Sequence, residues 1–393
     1  MLLGIMPRGS KASIANPFRY GGLALDEAFA NRERELSELV ADVRNGQDVV
    51  VFAPRRYGKT SLVWRAASEL ARRRVLVAQV DLMTTPTKER LAEKLAASIY
   101  EHIASRLERA REAALAPFRA LRVQPVVTID PLDGSLGFSF SLGRRSADID
   151  ATLERLLELP AELGTARGRR VGLVLDEFQE VVAIDRGLPR LMRSIFQLQP
   201  EVAHVYLGSK RHVMERIFSD ENEPFWRSAK AIELGAIAPE PFLEFIVGRF
   251  RASGRAIDGA VAAALVERTG GHPYATQELA YFLWEETAPG ATAGSGELER
   301  AIAAVLRSEH AHFSLLWESC AKAQRLLLEA LAGEQPGRPL TTEYRAAHGL
   351  PSAPTMQKAA RALLEREVVR RDAGAYEIAE PFLADWIRAS IEG

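Results

Sequence analysis

The run Gly58-Lys59-Thr60-Ser61 follows the apolar residues 49–52 and contains the residue types that bind phosphate groups. A lysine in such a loop can reach the β and γ oxygens of a nucleotide, and the neighbouring threonine hydroxyl can ligate Mg²⁺. Backbone N–H groups of the loop and the positive end of the following helix dipole would bind the same anion. The pattern therefore predicts a nucleotide-binding P-loop.

One position of this loop departs from the usual G-x-x-x-x-G-K-[ST] pattern, because Ala53 stands in place of the first glycine. If that position needs a positive φ, alanine costs about 1 kcal/mol or more. The alternative interpretation, a tight turn with a solvated lysine, leaves the Gly-Lys-Thr-Ser run unexplained. The predicted nucleotide-binding residues of the loop are Pro54, Arg55, Arg56, Tyr57, Gly58, Lys59, Thr60 and Ser61.

A second polar pair, Asp176-Glu177, ends the apolar run 171–175 and matches a Walker B element. An aspartate at this place binds Mg²⁺ through its waters, and the adjacent glutamate orients and polarises the attacking water. A capping carboxylate after a core strand is common, but a pair that follows a P-loop in one α/β pattern favours catalysis. We predict that Asp176 and Thr60 ligate the metal and that Glu177 is the catalytic carboxylate, with Lys59 assisting.

A further strand, at about 203–209, leads into Lys210 and Arg211. In P-loop folds this strand lies between the P-loop and Walker B strands, so its end faces the γ-phosphate. Ser209, Lys210 and Arg211 are therefore candidate phosphate sensors. Arg211 is favoured because a fixed guanidinium recognises phosphate geometry well, although basic residues after strands are also commonly solvated.

Near-continuous apolar strands alternate with helices as far as residue 238, which is typical of a parallel sheet covered on both faces. The predicted fold class is α/β, a P-loop NTPase three-layer sheet with strand order 5-1-4-3-2. An alternating segment near 126–142, with a turn signal at Asp133-Gly134, predicts an inserted hairpin. The hairpin would either dock a protein partner or cover a sheet edge.

Strand signals stop near residue 238, and helices and a terminal hairpin follow. The predicted domains are a P-loop ATPase core at 1–238, a helical lid at 239–320 and a winged-helix domain at 321–393. DNA could contact the third helix and the wing of the last domain. Acidic residues are interleaved there, so an intramolecular packing role stays open. The candidate contact residues are Gln357, Lys358, Arg361, Arg370 and Arg371.

The 393 residues are 47% hydrophobic and 26% charged, which is an ordinary globular composition. A net charge of -1 argues against a chain that is uniformly adapted to nucleic acid. The single cysteine, Cys320, excludes an internal disulfide and a multi-cysteine zinc site. Without a long apolar run or a signal-peptide pattern, we expect no membrane partner and a cytoplasmic location.

Together these residues resemble the archaeal-type ATPases of the STAND class, the signal-transduction ATPases with numerous domains, from about residue 16 to the end. Residues 29–35 resemble the hhGRExE element of that class, with Asn31 in place of glycine. Residues 53–61 resemble its G-P-R-R-x-G-K-T-S loop, and residues 175–179 its Walker B element. Gly271-His272-Pro273 fits its GxP signature.

The resemblance implies that Asn31 and Arg32 lie near the nucleotide base and that His272 or Pro273 packs near the adenine. From the sequence itself, Asn31 is also expected to cap the helix that follows. The implied cofactors are ATP or ADP with Mg²⁺. The implied function is a slowly hydrolysing switch, with nucleotide between sheet domain and lid and the winged helix clamping an ADP-bound form.

Two alternative functions stay open. One is a nucleotide-regulated DNA-binding protein that acts through the winged helix. The other is a DNA-remodelling or transposition-helper ATPase, which ranks lower because no trans arginine finger can be named from the sequence.

Overall fold

The computed structural model describes residues 15–22, 30–104, 123–129, 136–142 and 149–392. The chain divides into two compact units. We call Arg32–Gly235 the sheet unit, and Met1–Asn31 together with Ala236–Gly393 the helical unit. The predicted turn at Asp133-Gly134 and the residue Phe29 lie outside the described residues.

The sheet unit contains a parallel sheet of five strands and a separate hairpin of two strands. Its strands in chain order are β1 Val49–Phe52, β2 Leu76–Asp81, β3 Val123–Ile129, β4 Leu136–Leu142, β5 Val171–Asp176, β6 Val202–Gly208 and β7 Lys230–Glu233. The parallel sheet has the order β2-β5-β6-β1-β7, which confirms the predicted order of its five strands. β5 and β6 are buried along their whole length because helices cover both faces, as their continuous apolar sequences predict.

Helices connect these strands. They are α1 Glu33–Asn45, α2 Lys59–Arg72, α3 Lys88–Ile99, α4 Ile149–Thr165, α5 Val181–Ile184, α6 Leu188–Phe196 and α7 Arg211–Ser219. β3 and β4 form a separate antiparallel hairpin, with Val123 opposite Leu142 and Ile129 opposite Leu136. β4 lies against α3, so the hairpin packs on the sheet unit.

The prediction that Asn31 caps α1 is wrong. The helix begins at Glu33, Arg32 occupies the N-cap position, and the Arg32 side chain makes no capping hydrogen bond. Asn31 and Arg32 both have a positive φ, 29° and 145°. The Arg32 guanidinium instead donates to the Gly235 carbonyl at 2.6 Å and pairs with Glu35 at 3.1 Å. A contact between residues 203 positions apart therefore takes the place of a local cap.

The helical unit has its own continuous apolar core. Its helices are α8 Pro239–Ala252, α9 Gly259–Thr269, α10 Pro273–Glu286, α11 Ser295–Glu318, α12 Lys322–Gly333, α13 Thr342–Ala347, α14 Ala353–Glu365 and α15 Pro381–Glu392. Its strands are β8 Ala256–Ile257, β9 Thr292–Ala293, β10 Val369–Asp372 and β11 Ala375–Ile378. The last two pair antiparallel and form the wing. None of the helices in the described ranges is long and apolar enough to cross a membrane.

The N-terminal residues 15–22 belong to the helical unit. The Phe18 ring lies 5.5 Å from the Phe250 ring in the core. The Asn16 side chain donates to the Tyr281 carbonyl at 3.1 Å. The same core also includes residues of α11, α12 and α15, which lie on both sides of the predicted boundary at 320. The predicted domain boundaries at 238 and 320 stay predictions.

Candidate active site

The loop between β1 and α2 carries the first candidate residues. Gly58 has a φ of 80° and is the N-cap of α2. Only glycine adopts this conformation without strain, which explains the residue type at this turn. α2 begins with no side-chain cap and with no acidic residue in its first turn. Its first N–H groups are therefore available to an anion at the loop.

Ala53 continues β1 into this loop without backbone strain. Its N–H lies 3.5 Å from the Gly208 carbonyl, which extends the pairing of β1 with β6. Ala53 is buried and is not among the residues with a positive φ. The condition under which alanine would be costly here is therefore not met, and the departure from the glycine pattern causes no conformational penalty.

Restoring glycine at this position should weaken the fold slightly. We expect Ala53→Gly to lower the free energy of unfolding by about 0.4–1 kcal/mol, because glycine gains more freedom in the unfolded chain. Nucleotide affinity should stay within about threefold, since the backbone already has an ordinary conformation. Urea unfolding and nucleotide titration measure the two effects. A variant that binds nucleotide more than tenfold tighter would show instead that the Ala53 side chain crowds the phosphates.

The structure brings the two predicted motifs together at the carboxyl ends of their strands. Lys59 Nζ lies 3.1 Å from Glu177 Oε1, and Lys59 is only 6% exposed. The Thr60 hydroxyl donates to Asp176 Oδ2 at 3.3 Å. The four residues that the sequence assigns to phosphate, metal and catalysis therefore form one cluster.

Burial and the Lys59 charge act in opposite directions on the two carboxylates. Burial raises the pKa of the Asp176 carboxyl above its ordinary value, and the Lys59 ammonium only partly offsets this. Burial also acts to raise the pKa of Glu177, but the Lys59 ammonium and hydrogen bonds from Gln179 and Ser209 outweigh it. The net pKa of Glu177 is lowered, so its carboxylate stays ionised beside the lysine.

The backbone at Glu177 is in the left-handed region, with φ 52° and ψ 46°. Such a conformation costs about 1–3 kcal/mol for a residue other than glycine, and it concentrates at functional sites. The Glu177 N–H donates to Asp176 Oδ1 at 2.9 Å, and the short 3-10 turn Phe178–Glu180 follows. This turn directs the Glu177 side chain toward Lys59.

Two further side chains contact Glu177 Oε2. The Ser209 hydroxyl donates to it at 2.8 Å, and the Gln179 amide also donates to it. Ser209 is one of the three candidate sensors named from the sequence, whereas Gln179 is not among the predicted site residues. No local sequence pattern identifies it, because its approach to the carboxylate depends on the turn that follows Glu177.

The structure does not place Arg211 in this cluster. Arg211 is the first residue of α7, its side chain is more than half exposed, and it pairs with Glu215 and Glu233. The Arg32 guanidinium is engaged with Gly235 and Glu35. A sensing role for Arg211 and a base contact for Arg32 therefore stay predictions.

The remaining loop residues differ in exposure. Pro54, Arg55 and Arg56 are exposed, and Arg56 has a φ of 66°. Tyr57 and Ser61 are buried. Their contacts with nucleotide stay predictions.

The other predicted nucleotide-binding residues lie in the helical unit, at the turn between α9 and α10. His272 is the N-cap of α10, where its Nδ1 accepts from the Ala275 N–H at 3.2 Å, and Pro273 is the first helical residue. Gly271 has a φ of 68°, and its carbonyl accepts from the Ile237 N–H at 2.9 Å. A side chain at Gly271 would collide with the Ile237 carbonyl. These contacts explain the motif as a tight turn, and its role near adenine stays a prediction.

Solved structures share this architecture. The Walker-type ATPase of Pyrococcus abyssi is 16% identical, with 93% of this chain and 97% of that chain covered and a TM-score of 0.65. This chain has the fold of the Walker-type ATPases. The ORC2 protein of Aeropyrum pernix, in complexes with ADPNP and ADP, is 12% identical, with 94% and 98% covered and a TM-score of 0.51.

A family model described as "Probable winged helix domain" matches residues 311–389. This match and the β10–β11 wing confirm the predicted C-terminal winged helix. A comparison with curated proteins found no match.

The cluster around Lys59 fits a magnesium nucleotide chemically. Thr60 Oγ1 and Asp176 Oδ2 are adjacent oxygen donors at the start of α2, where an anion is also favoured. Within the described residues, no group of three or more His, Cys, Asp and Glu could hold a metal ion alone. Mg²⁺ commonly binds through one or two protein oxygens together with phosphates and waters, and these two residues supply that number.

Proposed function

We propose that this protein binds and hydrolyses ATP, with Mg²⁺ as its metal cofactor. The observation that supports this is the convergence of Lys59 and Thr60 with Asp176 and Glu177, at 3.1 and 3.3 Å, at the uncapped start of α2. The choice of an adenine nucleotide is supported by the sequence resemblance and by the ADPNP and ADP complexes of the similar ORC2 structure.

Each residue of the cluster has a distinct task in this proposal. The Lys59 ammonium leaves Glu177 and binds the β and γ oxygens of the nucleotide. The first N–H groups of α2 bind the same anion. Thr60 and Asp176 would hold Mg²⁺, which would supply positive charge to neutralise the phosphates. Glu177, released by Lys59, orients the attacking water and accepts its proton.

The test is conversion of ATP to ADP and phosphate by the purified chain in excess over labelled ATP. We expect a single-exponential conversion in the presence of Mg²⁺ and its arrest when EDTA removes the metal. ADP should compete with ATP. Conversion that is equally fast in EDTA would contradict the assigned roles of Thr60 and Asp176.

We further propose that turnover is slow and that the bound nucleotide acts as a conformational switch, with Arg211, Arg32, Asn31, His272 and Pro273 as candidate nucleotide contacts. A ligand shifts a conformational equilibrium only by its differential affinity for the two states. ADP and a non-hydrolysable ATP analogue should therefore give different limited-proteolysis patterns. Identical patterns at saturation would argue against the switch.

A second candidate function is DNA binding by the winged helix. Lys358 and Arg361 are exposed on α14, and neither forms an ion pair with another described residue, whereas Arg370 on the wing pairs with Glu377 at 2.6 Å. Charges without an ion-pair partner are the ones available to phosphates. We expect Lys358→Ala with Arg361→Ala to weaken duplex binding and reduce its salt dependence, and Arg370→Ala to have a smaller effect. No binding by the wild-type chain at low salt would eliminate this candidate.

A further inference from the structure

We infer that Gln179 is a positioning residue for hydrolysis: together with Ser209 it anchors Oε2 of Glu177, so that Oε1 is the oxygen that receives the attacking water. This inference rests on the proposed ATPase function. It assigns a role to a residue that lies outside the P-loop and the metal ligands.

The contacts of Glu177 divide cleanly between its two carboxylate oxygens. Oε2 accepts from the Gln179 amide and from the Ser209 hydroxyl, the latter at 2.8 Å. Oε1 lies 3.1 Å from Lys59 Nζ. The donors therefore come from three places in the fold: the turn after β5, the end of β6 and the start of α2.

The hydrogen-bonding capacity of a carboxylate then decides which oxygen can bind water. Each oxygen has about two acceptor sites. Both sites of Oε2 are used by neutral donors that the fold fixes in place. Among the described residues, Oε1 has one donor, Lys59, which the phosphates attract when nucleotide binds. Water can therefore reach Oε1, and the transfer of Lys59 to the phosphates links nucleotide binding to activation of the base.

Gln179 is retained at an energetic cost. It is 5% exposed, and its Oε1 is a buried atom with no hydrogen-bond partner in the described structure. A buried acceptor without a partner destabilises a protein. Gly208 leaves room for this amide and for Met214, because a Cβ at Gly208 would collide with the Met214 side chain and lie 2.8 Å from Gln179 Oε1. The hydrogen bond from Gln179 Nε2 to Glu177 offsets this cost, so the contribution of the glutamine is tied to that carboxylate.

Gln199 provides a matched control in the same unit. It is 6% exposed, its Oε1 also has no hydrogen-bond partner in the described structure, and its Nε2 donates to the Leu157 carbonyl at 2.9 Å. It differs from Gln179 in that its donor contacts a backbone carbonyl and not a catalytic carboxylate.

The experiment compares Gln179→Leu with Gln199→Leu in the full-length chain. Single-turnover hydrolysis of labelled ATP and equilibrium binding of ATP with Mg²⁺ are measured for both. We expect Gln179→Leu to slow hydrolysis by about 10- to 100-fold, because the carboxylate loses one anchor. Its nucleotide affinity should stay within about threefold, since Lys59 and Thr60 are unchanged. Gln199→Leu should hydrolyse ATP at the wild-type rate.

The split between hydrolysis rate and nucleotide affinity is a readout that a purely structural role would not give. Lys59 on α2 and Asp176 on β5 are both retained in Gln179→Leu, so the variant removes only one of the two donors to Glu177 Oε2.

Ser209→Ala is the second variant, and it removes the other donor to Oε2 without depending on the folding of Gln179→Leu. We expect a similar loss of hydrolysis rate with nucleotide affinity within about threefold of wild type. Hydrolysis at the wild-type rate in both variants would overturn the inference and leave the proposed function standing. Failure of the wild-type chain to bind ATP would overturn the proposed function itself.

Discussion

Lys59→Ala should abolish the stabilisation that ATP and Mg²⁺ give to this protein. A ligand at 100 times its Kd stabilises by about 2.7 kcal/mol, which raises the Tm of a unit of this size by about 5–10 °C. Lys59 is buried beside Glu177 and starts α2, so it is the ammonium available to the phosphates at the loop. Differential scanning fluorimetry with and without nucleotide measures the effect.

The ligand-induced shift is the quantity to compare, because the variant also leaves Glu177 without its buried partner and should melt earlier without nucleotide. Lys88→Ala is the matched control. Lys88 pairs with Asp150 at 2.8 Å in the same unit, its side chain is about one-fifth exposed, and it belongs to none of the predicted nucleotide contacts. It should keep the full nucleotide-induced shift. A shift of wild-type size in Lys59→Ala would refute the P-loop assignment.

Glu177→Gln should slow ATP hydrolysis by about 10²- to 10⁴-fold, the usual contribution of a general base. The substitution keeps the side-chain volume and can still accept from Ser209, but it removes the charge that attracts the Lys59 ammonium. ATP affinity should therefore stay the same or increase, because Lys59 is freed for the phosphates. Single-turnover hydrolysis and equilibrium binding separate the two effects.

Glu180→Gln tests whether this loss is specific. Glu180 ends the same 3-10 turn and pairs with Lys210, outside the Lys59 cluster. We expect its turnover to stay within about threefold of wild type, since its side chain pairs with Lys210 and the substitution leaves the backbone hydrogen bond from Glu180 to the Glu177 carbonyl in place. Comparable losses in both variants would mean that the turn matters only for folding. Unchanged turnover in Glu177→Gln would show that Glu177 is not the general base.

The fold and the central cluster could be predicted from sequence because their signals are local. Continuous apolar runs identify buried parallel strands such as β5 and β6. The two motifs then meet because the carboxyl ends of parallel strands lie along one edge of a sheet. For this reason the contact between Lys59 and Glu177 could be predicted, although 118 residues separate them along the chain.

Other features depend on contacts that local patterns do not encode. Asn31 fails as a cap where Arg32 contacts Gly235, which lies far along the chain. Residue type favours Arg211 as a sensor, but α7 begins at that residue and its guanidinium pairs with Glu215 and Glu233. Gln179 could not be selected because its role depends on the left-handed backbone of Glu177.

The most direct test of the central claim is calorimetric titration of the wild-type chain with ATP in the presence of Mg²⁺. The cluster of Lys59, Thr60, Asp176 and Glu177 predicts one saturable site per chain, competition by ADP, and loss of binding in Lys59→Ala. Absence of saturable binding, or binding that survives Lys59→Ala unchanged, would contradict the claim that this loop binds nucleotide.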